Sequence, residues 1–345
     1  MRGLKYIYYV IVGLLLCTSC ASHQEAGVVD AEYETICELK ENIGLIGQPQ
    51  VFDMADGESF VVTDWTNVYL YGIDGNQIKR IGNSGRGGFE YIRPSVVRTD
   101  GEFIWVWSSG TLAFIVYRKD GQPVEEYQYP SAIQDFEVSG NKIYIYTAGK
   151  RYGNVIDVYD TDTEEVVRTL TPTSKEHRFM LRKISASPMS MADGSLVYAA
   201  KDNMKLVKYD LKNDSLEEFE EIVSETFEIE PLTDTNMLFT NRNKAFEYYN
   251  ENPMTILVSP DDEGYFVMTL EGKTRIEGDD IVQDDRYFGL YSTARRGDDK
   301  RIRNYSYGSI GTETLLDSYD NNIYFIRHSI SENDDVYTLC RLIAR

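Results

Sequence analysis

Histidine is scarce: His23, His177 and His328 are the only three in 345 residues. A His-rich metal centre is excluded on that count alone. Positive charge is also short, with 35 Lys and Arg against 56 Asp and Glu and a net charge of −21. Phosphate backbones are bound through a basic footprint, so no nucleic-acid partner is expected. Proline numbers 9 and there is no HExxH or GxSxG motif, which removes the common zinc-protease and serine-hydrolase signatures. Only one apolar run is long, Ile7–Leu16, and its roughly ten residues fall short of the about twenty that a membrane helix needs.

What is present is aromatic and glycine-rich. Tyr at 26, Phe at 14 and Gly at 26 suit many short strands joined by tight turns, and 42% apolar content rules out disorder as the main state. The length permits one large β or α/β domain or two ordinary ones.

The first nineteen residues carry Arg2 and Lys5, no acid, and the apolar run, the plan of a secretory signal. Thr18-Ser19-Cys20 resembles the lipobox of bacterial lipoproteins, with Cys17 where that family usually has Leu. The resemblance implies that Cys20 becomes the lipidated first residue of the mature chain. Each buried methylene of such a chain contributes about 0.8 kcal/mol to membrane attachment. Residues 1–19 are therefore read as signal peptide, 20–32 as tether and 33–345 as the folded domain. Ala21–Gly27 holds a single acid, Glu25, and lacks an acidic surface-export run, which favours a periplasm-facing outer-membrane anchor over the cell surface.

From Val51 onward the pattern is strand, tight turn, strand, interrupted only by a short helical pattern near Asn241–Asn250. Tyr71, Tyr117, Tyr159 and Tyr209 are 46, 42 and 50 residues apart, each followed by a turn and a returning strand. A second series of turns, Asp56-Gly57, Asp100-Gly101, Gly140-Asn141, Asp193-Gly194 and Asn321-Asn322, each precedes an apolar run. Two hairpins in about 45 residues make four strands per unit, the repeat of a β-propeller blade. The second half is less regular: residues 225–255 read as an insertion, and Glu263-Gly264 and Asp284-Asp285 are too close for successive blades. Six blades with an insertion, or seven, both fit.

The ends predict closure. Val336–Ala344 makes a third strand after the last hairpin mark, and Tyr33–Lys40 is an alternating strand without a blade of its own. If it supplies the missing outer strand, closure is 3+1 and no raw edge remains. Cys37 and Cys340 would then lie on neighbouring strands. A disulfide there would restrict the unfolded chain by about 5 kcal/mol in the loop-entropy model, whereas unmatched registers would leave two thiols.

Arg80-Ile81-Gly82-Asn83-Ser84-Gly85-Arg86-Gly87-Gly88-Phe89-Glu90, followed by Pro94, resembles a signature of the TolB-like, NHL-like six-bladed propeller lipoproteins of Bacteroidota. Asp285-Arg286-Tyr287-Phe288-Gly289-Leu290-Tyr291-Ser292 is similar to a second segment of that family. The resemblance implies six blades and an envelope lipoprotein, and carries over no catalytic residue and no cofactor.

Other motifs have plainer readings. Asp160–Glu164 opens like a calcium loop, but Glu165 stands where the essential Gly belongs, so a simple turn is expected. Gly82–Gly88 lacks the Lys-Ser/Thr of a phosphate loop and reads as a crossover between blades. In a propeller the a–b and c–d turns of each blade share one face, and the b–c loops and crossovers share the other. The first set reads acidic: Asp53/Asp56/Glu58, Asp100/Glu102, Asp160–Glu165, Asp261–Glu263 and Asp317/Asp320. The second set gathers Arg86, Lys150-Arg151, Arg178 and Arg295-Arg296, with Trp65 and Trp107 at the ends of b strands. Arginine with aromatic rings suits an anionic or glycan ligand. The expectation is a lipid-anchored, non-enzymatic propeller for an envelope protein or such a ligand; the alternative is a glycan- or lactone-processing enzyme using central-channel carboxylates.

Overall fold

The computed structural model describes residues 27–44, 46–147, 156–170, 189–199, 205–221, 240–241, 244, 248, 252–261, 263–272, 274–277, 280–294, 301–306, 315–331 and 334–343. The chain enters through β1 (Val28–Val29) and β2 (Tyr33–Glu38) and then builds blades in sequence. Blade 1 is β3 (Val51–Asp56), β4 (Ser59–Thr63), β5 (Val68–Gly72) and β6 (Gln77–Arg80). A short parallel bridge, β7 (Asn83–Ser84) with β8 (Glu90–Tyr91), marks the crossover. Blade 2 is β9 (Pro94–Thr99), β10 (Phe103–Ser108), β11 (Ala113–Arg118) and β12 (Pro123–Gln128). Blade 3 is β13 (Asp135–Ser139), β14 (Lys142–Tyr146), β15 (Ile156–Asp160) and β16 (Glu165–Thr169). Blade 4 is β17 (Met189–Ala192), β18 (Ser195–Ala199), β19 (Lys205–Asp210) and β20 (Ser215–Glu221).

Blade 5 departs from the pattern. Between β22 (Gly264–Glu271), paired with β21 (Met254–Asp261), and β25 (Tyr287–Ser292) sits an extra hairpin, β23 (Thr274–Glu277) with β24 (Asp280–Asp284). β26 (Arg301–Ser306) completes the blade, and β1 adds to its edge in parallel, so Val28–Val29 of the segment read as tether join the sheet. The extra hairpin explains why two turn signals fall so close together. Blade 6 is β27 (Leu315–Tyr319), β28 (Asn322–Ser331) and β29 (Asp334–Leu342), with β2 as its outer strand. Closure is thus 3+1, and the ring has six blades rather than seven.

Each sheet is buried on both faces, so its middle strands are continuous apolar runs whose alternate residues serve different neighbours. In β4, Phe60 and Val62 pack towards blade 6 while Val61 packs towards blade 2. In β10, Ile104 and Val106 face blade 1, and Trp105 and Trp107 face blade 3. The same parity joins blades 3 and 4 through Tyr144, Tyr146 and Tyr198, and blades 4 and 5 through Val197 and Val267. Phe325 of blade 6 meets Met268 and Leu290 of blade 5. The four repeated tyrosines occupy one position: each sits on the third strand of its blade and packs against the preceding blade. Truncating such a ring to Ala would cost about 3–5 kcal/mol. Thr240, Lys244 and Tyr248 are helical, and Tyr248 is buried against blades 5 and 6.

The cysteines do not form the bond offered as one alternative. They lie on the paired strands β2 and β29, but a bulge sets Thr35 opposite Cys340 and Cys37 opposite Leu339. Cys37 joins the cluster between blades 6 and 1, Cys340 the one between blades 5 and 6, and both are free buried thiols. Burial pushes the Cys37 thiol up to about 11.

Candidate functional site

The innermost strands of four blades bring five charged side chains together around the axis. Arg98 on β9 sits among Asp53 on β3, Asp135 and Glu137 on β13, and Asp317 on β27. Its Nη2 donates to Asp135 Oδ1 at 2.5 Å, its Nη1 lies 3.5 Å from Asp53 Oδ1, and its Nε lies 3.9 Å from Glu137 Oε1. The acids are also bound to main chain: Asp53 Oδ2 accepts from Thr99 N and Asp317 Oδ2 from Met54 N, both at 2.7 Å. Strand-to-strand contact is thereby fixed from blade 6 through blades 1 and 2 to blade 3.

Burying four carboxylates around one cation leaves excess negative charge in a poor solvent, and protons are the cheapest relief. Burial and the neighbouring Asp317 push Asp53 well above the usual carboxylate range, although Arg98 opposes this. Burial also raises Asp317, and it pushes Glu137 up to about 8 against the pull of Arg98. Glu137 keeps 21% side-chain exposure, the most open of the four. No group of three or more His, Cys, Asp or Glu suited to a metal occurs among the described residues.

This cluster was missed in the sequence because Asp53 and Asp317 were read as turn acids. They lie inside strands, Asp53 three residues before Asp56 at the end of β3 and Asp317 three residues before the turn at Asp320, and their side chains reach the axis. The signal was there: Arg98 and Glu137 stand two and three residues before their own a–b turns at Asp100 and Gly140.

The residues predicted for ligand binding separate. Trp107 is fully buried between blades 2 and 3, 4.7 Å from Phe114 ring to ring, because it shares the parity of Trp105; it is a core residue with no exposed surface. Trp65 is 42% exposed on the b–c loop of blade 1, and Arg86 is exposed on the blade 1–2 crossover. Lys150, Arg151, Arg178, Arg295 and Arg296, like Cys20 and His177, lie outside the described residues. β25 is the third strand of its blade, and Thr293 just after it bonds to Tyr265 beside the a–b turn.

Arg93, not singled out in the sequence, joins Trp65: its guanidinium lies over the indole at 5.7 Å from the ring centroid. Four bulky residues on this crossover face have left-handed backbone, Trp65 (φ 71°), Phe89 (φ 60°), Arg93 (φ 56°) and Leu112 (φ 57°). Left-handed non-glycine residues on the hairpin face are instead the turn formers Asp193, Asp214, Asp320 and Asn321, with Glu164.

The remaining motifs are structural. Asp160 Oδ1 accepts from the amides of Asp162 and Thr163 and Oδ2 from Lys142 Nζ, a capped turn. The Gly82–Gly88 segment is the crossover: Gly87 N donates to Glu90 Oε2, and Tyr117 Oη to Phe89 O. In the second family-like segment, Tyr291 and Tyr287 donate their hydroxyls to buried Glu271, as does Thr269. A Cβ on Gly289 would lie 2.4 Å from Glu271 Oε1, so this segment builds a hydroxyl cage. His328 pairs with Asp335 at 2.7 Å and stacks on Tyr337.

The family model described as DUF5128, 6-bladed beta-propeller, matches residues 40–258. Two crystal structures share the fold. One, from Bacteroides fragilis, is of a protein described as exported, with a TM-score of 0.57, 14% identity, and coverage of 93% of this chain and 95% of that one. The other is a member of the duf4221 family from Bacteroides vulgatus, with a TM-score of 0.59, 13% identity, and coverage of 92% and 100%. No curated protein matches the sequence.

Proposed function

The chain belongs to this family of six-bladed β-propellers, and from that premise we propose a lipid-anchored envelope module of the TolB-like, NHL-like kind that binds without catalysis. Its anchor is Cys20, and the outer membrane, periplasm-facing, is its place. Its crossover face meets an anionic or glycan ligand, or an envelope protein, through Trp65, Arg86 and Arg93, with Lys150, Arg151 and Arg178 as further candidates from the sequence.

One observation carries this reading. The acids at the axis are engaged with Arg98 or with backbone amides of adjacent blades, whereas the crossover face exposes aromatic and arginine side chains on left-handed backbone. Such conformations cost about 1–3 kcal/mol each and persist where function or surroundings hold them. The enzyme alternative has one observation of its own: Glu137, partly open and titrating near 8, has the proton affinity of a general acid.

Two measurements test the proposal. Radiolabelled palmitate should enter the protein and be lost in Cys20→Ala. A ligand captured from an envelope glycan library should be recovered intact after prolonged incubation, and Glu137→Gln should leave its retention unchanged. Cleavage abolished by Glu137→Gln would transfer the function to the axis.

A further inference from the structure

We infer that Trp65 and Arg93 form a preorganised subsite for carboxylate-bearing sugar units of an anionic polysaccharide; this rests on reading the crossover face as the binding surface. Both side chains are fixed from beneath. Asp64, 7% exposed, accepts from Thr66 N at 2.9 Å and Asn67 N at 2.7 Å through Oδ1, and from Gly47 N at 2.7 Å through Oδ2. That carboxylate locks the four-residue loop from which the indole projects. Arg93 O accepts from Ser109 N at 3.1 Å and from Ser109 Oγ at 2.9 Å. Beside it, Gly110 N donates to Ile92 O at 2.8 Å, and a Cβ on Gly110 would lie 2.4 Å from Ile92 Cγ2. The two left-handed residues are therefore held in place by bonds from neighbouring segments, and the ordering cost of the site is met on folding, before any ligand arrives.

The chemistry on offer is specific. Trp65 is 42% exposed, and its indole is an aromatic surface of the kind on which a pyranose ring stacks. Among the described residues no carboxylate pairs with Arg93, whose guanidinium has a fork geometry matched to a carboxylate. The nearby amides are already engaged, Thr66 and Asn67 with Asp64 and Val68 with Tyr91 Oη. Those three donors are not open to an extended peptide, and recognition through a ring and a charge is what an acidic sugar supplies together. A phosphate would satisfy Arg93 and leave the indole unused.

Affinity electrophoresis of the detergent-solubilised full-length protein tests this, at 0.15 M salt so that repulsion from the net charge is screened. The probes are polygalacturonate, neutral dextran and inorganic polyphosphate. Polygalacturonate should retard the wild type, dextran and polyphosphate should not, and Trp65→Ala and Arg93→Gln should each weaken retardation at least fivefold with unchanged melting temperature. No retardation by polygalacturonate overturns the inference, as does equal retardation by polyphosphate. Retardation kept in both variants but lost in Arg86→Ala would sink this subsite and leave the crossover-face reading standing. Retardation insensitive to all three substitutions would remove both.

Discussion

Replacing Arg98 with Met keeps most of the side-chain volume and removes the guanidinium from among Asp53, Asp135, Glu137 and Asp317. The side chain is about 92% buried, with carboxylate oxygens at 2.5, 3.5 and 3.9 Å from its guanidinium nitrogens. Breaking a buried charge network by deleting one partner costs about 3–5 kcal/mol, because the remaining charges stay desolvated and unpaired. The cost should depend on pH. Arg98 lowers the proton affinity of Asp53, Glu137 and Asp317, so its loss raises all three further, and the folded state binds more protons than the unfolded one over a wider range. Where the unfolded state binds fewer protons, stability falls as pH rises. At pH 5 the acids can hold protons in the folded variant, and the deficit should shrink to the lost hydrogen bonds, about 1–2 kcal/mol. At pH 8 the full deficit of about 3–5 kcal/mol should return. Urea unfolding of wild type and Arg98→Met at both values reads the difference. An equal deficit at pH 5 and pH 8, or one that grows on acidification, would show that these acids stay ionised in the folded protein and that the account of the axis is wrong.

Glu137→Gln should behave in the opposite sense. Its folded proton affinity lies near 8 against 4.5 unfolded, so the wild type loses stability as pH climbs through that window; the Gln variant should match wild type at pH 5 and exceed it at pH 8.5 by about 2–4 kcal/mol, measured by urea titration. Trp65→Gly should be more stable than Trp65→Ala by about 1 kcal/mol in thermal melts, since only glycine sheds the left-handed penalty at φ 71°. Gly289→Ala should destabilise by about 2–3 kcal/mol, because the added methyl meets Glu271 Oε1 at 2.4 Å and Thr269 Oγ1 at 2.7 Å; a neutral melt would argue that the hydroxyl cage is soft. Cys37 and Cys340 should resist iodoacetamide in the folded protein and label after denaturation without reductant, as mapped by mass spectrometry; their failure to label would mean a disulfide.

The architecture was legible because it repeats. Tyr71, Tyr117, Tyr159 and Tyr209 each need the same partner surface, the side of the preceding blade, so their spacing reports the blade period directly. The turns at Asp56-Gly57, Asp100-Gly101, Gly140-Asn141 and Asp193-Gly194 each join the first two strands of a blade, as read, because tight hairpins restrict which residues can serve. Blade 5 was harder. The extra hairpin β23–β24 lies between the second and third strands, and it breaks the regular spacing of turns there. Trp107 failed for a different reason: whether a tryptophan at a strand end points out or between sheets is decided by parity, and Trp105 two residues earlier already fixed it. The Arg93 contact with Trp65 could not be read at all, since it joins a b–c loop to a crossover 28 residues away, and no local pattern encodes that meeting.

The placement of charge at the axis bears on what the ring is free to do. A propeller must hold its first and last blades together, and here the rim does so with β2 against β29 while the axis does so with Asp317 against the amide of Met54. From that seam the polar chain continues through Asp53 to Thr99 and through Arg98 to Asp135, so these residues tie together four successive inner strands. A catalytic carboxylate must exchange its partners for substrate during turnover. Exchange here would release backbone amides of Met54 and Thr99 in a buried setting, at about 1–3 kcal/mol for each donor left unsatisfied. Glu137 lies 3.9 Å from Arg98 and keeps 21% side-chain exposure, which makes it the axial residue whose substitution separates a binding ring from a catalytic one.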